Sequence, residues 1–140
     1  MAKGDAEIIA ALSEDLNEEL QAIVQYMWFH VTGKGFETPA ILAEFASASR
    51  DEMKHAETLA ERIDYLGGEL PTGPWNVRRV GSVREMVAAA LDGENKAIER
   101  YKEHIALAAG KGDPTTRRLL EKILADEEEH AKTWETILGQ

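Results

Sequence analysis

Four segments of the chain carry apolar residues at the spacing of one face of an α-helix, and a glutamate interrupts each of these faces. Burying an unpaired carboxylate in an apolar core is costly, so buried carboxylates are normally ion-paired or bound to metal. Four glutamates cannot neutralise one another without protons, whereas two divalent cations would balance them. The chain is therefore expected to fold as an all-α bundle around a metal site. The four interrupting residues are Glu19, Glu52, Glu94 and Glu127.

Capping and helix-breaking residues set the expected helix boundaries. The predicted starts are about residue 5, the N-cap pair Thr38-Pro39, the capping box of Ser82 with Glu85, and the pair Asp113-Pro114. The connection from Gly67 to about Val80 is the longest, and it can run the length of a bundle whose helices span about 40 Å at ~1.5 Å per residue. We therefore expect an antiparallel four-helix bundle with one long crossover between helices 2 and 3, as a single domain over residues 1–140.

Two histidines follow two of these glutamates at helical spacing. His55 lies three residues after Glu52, and His130 lies three residues after Glu127. Residues three apart share a helix face, so each pair can bind the same ion. Carboxylate oxygens with imidazole suit iron or manganese, and the sequence has no cysteine to supply a softer thiolate ligand. One glutamate from each of two helices and Glu-x-x-His from the other two is the pattern of di-iron carboxylate bundles.

The ligand pattern is also duplicated, because each of its residues in the first half recurs 75 residues later. The duplication indicates two related helix hairpins whose pseudo-twofold pairing would place two ligand sets face to face. Tyr26 and Tyr101 form one of the repeated pairs, and at least one of them is expected to hydrogen-bond a ligand carboxylate and orient it; the alternative is that both are core aromatics. His30 and His104 have no repeated partner and are expected to be structural or solvated.

Bulk composition excludes several other classes of function. The net charge of -10 argues against a nucleic-acid surface, because phosphates are neutralised by Lys and Arg. No run approaches the ~20 apolar residues of a membrane span. The N-terminus, with Asp5 and Glu7 before a short apolar run, is a poor signal peptide, so a cytoplasmic protein is expected.

At this point the chain resembles the ferritin-like superfamily, and bacterioferritin in particular, over essentially its whole length. The resemblance rests on Glu19-Leu-Gln-Ala-Ile-Val-Gln-Tyr26, Asp51-Glu-Met-Lys-His-Ala56 and Asp126-Glu-Glu-Glu-His130. It implies a ferroxidase centre with two iron ions per subunit, bridged by Glu52 and Glu127. It also implies that Met53 is a haem ligand, with one haem shared by two subunits. The full ligand set implied is Glu19, Glu52, His55, Glu94, Glu127 and His130.

The chain departs from bacterioferritins in two ways. It stops at Gln140, without the short fifth helix that lines fourfold channels in 24-subunit bacterioferritin shells. Its size is closer to that of a mini-bacterioferritin or a Dps-like protein, so a homo-oligomeric shell of 12 subunits is expected rather than one of 24. Ser47 also stands where many bacterioferritins have a cavity-facing histidine, which disfavours an additional inner iron site.

The function expected from these features is a ferroxidase and iron store that oxidises Fe(II) with O2 or H2O2. The alternative is a rubrerythrin-like di-iron peroxidase, although such proteins normally add a rubredoxin domain with four cysteines. A haem-carrying or structural bundle with a vestigial site is a third possibility, and the complete ligand set argues against it.

Overall fold

Four α-helices form where the sequence carries its apolar stripes. The computed structural model describes residues 4–36 and 38–140. Its helices are α1 (Ala6–Thr32), α2 (Thr38–Tyr65), α3 (Val83–Gly110) and α4 (Pro114–Leu138). The described residues contain no β-strand, which confirms the expected all-α four-helix architecture.

Side chains cap the N-termini of three of the four helices. Asp5 accepts hydrogen bonds from two backbone N–H groups at the start of α1. Ser82 and Glu85 form the predicted capping box at α3, and Asp113 caps α4. These caps satisfy backbone donors that have no partner within the helix.

The start of α2 differs from the prediction. Thr38 was expected to be the N-cap, but it is the first residue of the helix. Its backbone N–H donates to the carbonyl oxygen of Gly35 at 3.4 Å, so helix-like hydrogen bonding begins one residue earlier than the Thr-Pro signal indicates.

The helices pair as two antiparallel hairpins. α1 packs on α2 and α3 packs on α4, while α1–α3 and α2–α4 contacts join the hairpins. Asp15 contacts His104 and Tyr26 contacts Glu94, so numbering rises along α1 as it falls along α3. α1 and α3 are therefore antiparallel, and α1 and α2 are antiparallel as well, because His30 lies beside Leu42 and Ile23 accepts from Ser49.

The crossover, residues 66–82, is held against α1 by three side-chain amides spaced four residues apart. Asn17 accepts from the Trp75 Nε1–H at 2.9 Å, Gln21 accepts from a crossover backbone N–H at 2.9 Å, and Gln25 accepts from the N–H of Arg78 at 2.7 Å. Gln25 also donates to the Arg78 carbonyl oxygen at 2.9 Å. A spacing of four places the three amides on one face of α1, so they fix the crossover along the helix.

Two clusters of buried apolar side chains fill the bundle on either side of the predicted ligands. The first cluster contains Leu16 on α1, and the second contains Tyr26 on the same helix, with Glu19 between them. The same order holds on the other helices, so the ligands lie in a layer between the two apolar clusters. None of the described helices is both long and apolar enough to cross a lipid bilayer.

Candidate metal centre

The six predicted ligands converge in the middle of the bundle. The four glutamates are almost inaccessible, with 1 to 3% of their surface exposed, and His55 is 4% exposed. The side chain of His130 is 11% exposed. Each helix contributes at least one of these residues, because each glutamate interrupts the stripe that faces the bundle axis.

The ligand atoms form two overlapping groups. In each group, one atom from each of four residues lies within 4.8 Å of the others, close enough to surround one ion. Glu52 and Glu127 belong to both groups. The groups are Glu19, Glu52, His55 and Glu127, and Glu52, Glu94, Glu127 and His130.

The histidine rings face this centre through their Nδ1 atoms. His55 Nδ1 lies 3.5 Å from Glu19 Oε2 and 3.4 Å from oxygens of Glu52 and Glu127. His130 Nδ1 lies 3.3 Å from oxygens of Glu52 and Glu127. Carboxylates thus surround each nitrogen on several sides.

The donor set fits a pair of metal ions. Among the residues that the structure describes, six buried side-chain atoms have no hydrogen-bond partner, and each predicted ligand supplies one of them. Buried polar atoms nearly always have a hydrogen-bond partner, so six unpartnered atoms in one place indicate a bound group such as metal. They are Glu19 Oε2, Glu52 Oε1, His55 Nδ1, Glu94 Oε2, Glu127 Oε1 and His130 Nδ1.

Tyrosines hydrogen-bond the two glutamates that belong to only one of the two groups. Tyr101 donates to Glu19 Oε1 at 2.5 Å, and Tyr26 donates to Glu94 Oε1 at 2.5 Å. In both glutamates the other oxygen is the unpartnered one. Each tyrosine therefore fixes one carboxylate oxygen and leaves the second facing the centre.

Two aspartates orient the histidines, a role that the sequence reasoning missed. Asp126 Oδ2 lies 2.8 Å from His55 Nε2, and Asp51 Oδ2 lies 2.9 Å from His130 Nε2. A carboxylate on Nε2 fixes the proton there and leaves Nδ1 free as a metal donor. The available signal was the duplication itself, because Asp51 and Asp126 repeat at the same offset as the ligands.

Burial and mutual repulsion shift the acid–base properties of the centre. Burial, with repulsion from Glu19, raises the pKa of Glu52 and of Glu127 well above the usual carboxyl range. Burial opposes protonation of His55, but the surrounding carboxylates, Glu19 foremost, together outweigh burial and raise the His55 pKa to about 9. The same balance, with Glu127 and Glu52 as partners, raises the pKa of His130. Without metal, the centre therefore retains protons at neutral pH.

Three other residues singled out from the sequence lie away from the centre. Met53 follows Glu52 on α2 but points outward and is 48% exposed. His104 contacts Asp15 in a separate polar cluster between α1 and α3. His30 lies near the end of α1, where its Nδ1 is 3.0 Å from the carbonyl oxygen of Leu42.

Comparison with known proteins agrees with this architecture. The family model of the ferritin-like domain matches residues 9–140. A bacterioferritin of Streptomyces coelicolor is 41% identical over 139 residues, covering 97% of this chain and 82% of the relative. A bacterioferritin of Mycobacterium tuberculosis is 38% identical over 142 residues, covering 97% and 86%.

Solved structures give the same result. A mycobacterial bacterioferritin superposes with a TM-score of 0.91 at 38% identity, covering 98% of this chain and 86% of that one. A ferritin-like di-iron carboxylate protein of Bacillus anthracis superposes with a TM-score of 0.90 at 35% identity, covering 94% and 95%. With the family match over nearly the whole chain and a buried Glu/His cluster of the di-iron type, the protein belongs to the ferritin-like family as a homologue of bacterioferritins.

Proposed function

We propose that the protein is a ferroxidase that binds two Fe(II) ions, oxidises them to Fe(III) and passes the iron on for storage. The observation that carries this proposal is the set of six buried, unpartnered donor atoms, one on each predicted ligand. Two divalent ions would neutralise four carboxylates in a region where uncompensated charge is costly. The mixture of carboxylate oxygen and imidazole nitrogen suits iron.

Each ligand has a distinct role in this proposal. Glu52 and Glu127 belong to both four-residue groups, so they would hold both ions. Glu19 and His55 complete one position, and Glu94 and His130 complete the other. The tyrosines and aspartates that contact these ligands keep the donor atoms in place when iron leaves.

The substrate pair supplies two electrons, one from each Fe(II). Two electrons and two protons convert O2 to H2O2, or H2O2 to two waters. Either oxidant can therefore accept the two electrons that the Fe(II) pair supplies. Burial and repulsion raise the pKa of Glu52 and of Glu127 in the metal-free centre, so both carboxyl groups must release their protons when iron binds.

Storage requires an enclosed space that one bundle does not provide. We propose a homo-oligomeric shell, of 12 subunits rather than 24, in which Fe(III) accumulates. Native mass spectrometry or electron microscopy measures this directly. A stable monomer or dimer would contradict storage, whereas a 24-subunit particle would contradict only the size.

Anaerobic titration followed by oxidant addition tests the ferroxidase proposal. Fe(II) added without oxygen should bind at two ions per chain, and O2 or H2O2 should then produce Fe(III) absorbance in a fast phase. Comparing the two oxidants shows which is preferred. Binding at other stoichiometries, or oxidation no faster than in buffer alone, would contradict the proposal.

Metal affinity should rise with pH. Metal ligands must be deprotonated, and the pKa of each of Glu52, Glu127, His55 and His130 is raised in the metal-free centre. Lowering the pH adds protons that metal must displace, so affinity should fall by about tenfold per pH unit for each proton released. Calorimetry of Co(II) binding in buffers of different ionisation enthalpy measures these protons. Affinity that is constant from pH 6 to 8 would show that the centre is already deprotonated.

We also propose one haem per two subunits, with Met53 of each subunit as a ligand. Met53 follows Glu52 and points about 100° away from the metal-facing stripe. Met53 is 48% exposed, so its side chain is accessible to a group outside the bundle. In a twofold dimer the same residue appears on both sides of the axis, which suits ligation of both haem faces.

Protein expressed with ample porphyrin should show a Soret band and a bis-methionine spectrum, with at most one haem per two chains. The Met53→Leu variant should lose the band, and Met27→Leu, which alters another exposed methionine, is the matched control. An unchanged band in the Met53→Leu variant would contradict the assignment.

A further inference from the structure

The two tyrosines of the metal centre are held in place by different kinds of neighbour. Tyr26 packs between aromatic side chains, with its ring centroid 6.0 Å from that of Phe45 and 5.7 Å from that of Trp134. Trp134 Nε1 also donates to the Tyr26 hydroxyl oxygen at 3.3 Å. Tyr101 is equally buried, but the guanidinium of Arg100 lies over its ring, 5.1 Å from the centroid. A cation therefore covers one tyrosine, whereas aromatic rings surround the other.

The surroundings of Tyr101 explain why a cation is needed there. Tyr101 belongs to the first apolar cluster, whose other described members are all aliphatic. No aromatic ring in that cluster supplies the flat contact that Tyr26 receives from its neighbours. A guanidinium stacks on an aromatic face, and the attraction is stronger where water is excluded. Arg100 thus supplies to Tyr101 the support that aromatic packing supplies to Tyr26.

Arg100 is itself fixed by a buried carboxylate. Arg100 Nε donates to Asp15 Oδ1 at 2.8 Å, and His104 Nδ1 lies 2.8 Å from Asp15 Oδ2. Asp15 is fully buried, and the side chains of Arg100 and His104 are 14% and 11% exposed. A buried carboxylate is costly unless it is paired, so Asp15 holds both partners in place. Asp15 lies on α1, one helical turn before Glu19, and Arg100 directly precedes Tyr101 on α3.

The other half of the duplication has no copy of this arrangement. Two of the equivalent positions carry apolar residues of the second cluster, and Gln25 at the third holds the crossover. The ligands are therefore duplicated, but the support behind their tyrosines is not. The equivalents at the 75-residue offset are Ala90 for Asp15, Gln25 for Arg100 and Phe29 for His104.

We infer that Arg100 is a positioning residue, which holds the Tyr101 ring so that its hydroxyl fixes Glu19 for metal binding. The inference rests on the proposed dimetal function. Glu19 Oε1 accepts from the Tyr101 hydroxyl at 2.5 Å, and its Oε2 atom is unpartnered and faces the centre. A tyrosine ring free to tilt would let the carboxylate turn, so that Oε2 would no longer be held toward the ion. Glu19 belongs only to the group that contains His55, so Arg100 acts on that metal position and not on the other.

Calorimetric titration of the metal-free full-length protein with Co(II) tests this role. Arg100→Gln installs the residue found at the equivalent position of the other half. It should weaken one of the two binding steps by roughly tenfold, at the lower end of the effect of losing a residue that orients a ligand. The other step should stay close to its natural affinity, and the stoichiometry should remain two ions per chain. Arg117→Gln, which removes the same charge from the exposed surface of α4, is the matched control and should change neither step.

A double-mutant cycle shows whether Arg100 acts through Tyr101. Tyr101→Phe removes the hydroxyl that holds Glu19, and should weaken the same step by about 10–100-fold. Adding Arg100→Gln to Tyr101→Phe should then cause little further loss, because the contact that Arg100 supports is already gone. Losses that add fully would show that Arg100 acts independently of the tyrosine, and would overturn the inference.

Anomalous scattering from crystals loaded with one equivalent of Co(II) identifies the weakened position. In the Arg100→Gln variant, cobalt should be concentrated beside Glu94 and His130. Cobalt concentrated beside Glu19 and His55, or two steps that both keep their natural affinity in this variant, would contradict the assignment.

A second variant covers the case in which Arg100→Gln does not fold. Removing one partner of a buried ion pair leaves an uncompensated charge, whereas removing both charges together is often tolerated. The double variant Asp15→Asn, Arg100→Gln leaves neutral side chains at both positions, and it should show the same weakening of a single step. Unchanged affinity at both steps in the double variant would overturn the inference.

The natural sequence separates this inference from the function on which it rests. Natural-sequence protein that does not bind two Co(II) ions per chain would refute the dimetal proposal. Two ions bound by the natural sequence, with affinities that do not respond to Arg100→Gln, would refute only the positioning role.

Discussion

Replacing Glu127 with glutamine is expected to abolish the fast phase of Fe(II) oxidation. Glu127 belongs to both four-residue groups, so losing its charge weakens both positions at once. Mutating a residue that only orients a metal ligand typically lowers metal affinity or activity by about 10–100-fold. Loss of a shared ligand should therefore lower the rate by more than about 100-fold. Stopped-flow absorbance after addition of O2 or H2O2 measures the effect.

The metal-free fold should survive this substitution. In the metal-free state, burial and repulsion from Glu19 raise the pKa of Glu127 and favour its neutral, protonated form, so a neutral amide of similar shape is tolerated there. Circular dichroism should show the same helix content and no loss of thermal stability. Glu57→Gln, an exposed change on α2, is the matched control for charge. A Glu127→Gln variant that oxidises iron at the natural rate would show that the ligand assignment is wrong.

Saturation with a redox-inert divalent ion is expected to stabilise the protein strongly. A ligand that binds only the folded state adds about 2.7 kcal/mol per site at about 100 times its dissociation constant. Two sites would add about 5 kcal/mol and raise the unfolding temperature by about 10–20 °C. Thermal unfolding with Co(II) or Zn(II), compared with a chelator-treated sample, measures it.

The rise in unfolding temperature should require metal bound at the buried centre rather than at surface carboxylates. Glu127→Gln should lose most of it, whereas Glu57→Gln should retain it. An equal rise in both variants would place the stabilising metal at the surface carboxylates of this acidic protein.

Much of the fold was predictable because its sequence signals are local. Apolar periodicity, the Ser82–Glu85 capping box and the Asp113-Pro114 start are decided within one or two helical turns, and they matched the structure. The long crossover followed from connection length. Glu19 and Glu94 stood out because a carboxylate on an apolar stripe requires either an ion pair or a metal.

What the sequence did not reveal depends on contacts between distant segments. Asp51 and Asp126 lie on partly solvated helix faces, where acidic residues are common, and only the α2–α4 packing shows that they hold histidines. His104 gave no sign that it meets Asp15, which lies 89 positions away. The three amides on α1 that hold the crossover also carry no signal in the sequence, because Asn and Gln are common on exposed helix faces.

Anomalous scattering at the iron absorption edge, from crystals loaded anaerobically with Fe(II), tests the central claim most directly when combined with metal analysis of the same protein. We expect two iron peaks per chain, both within the layer between the two apolar clusters, with Glu52 and Glu127 contacting both. His55 should contact one ion through Nδ1, and His130 the other. A single peak per chain, or iron found mainly at surface carboxylates, would contradict the dimetal centre.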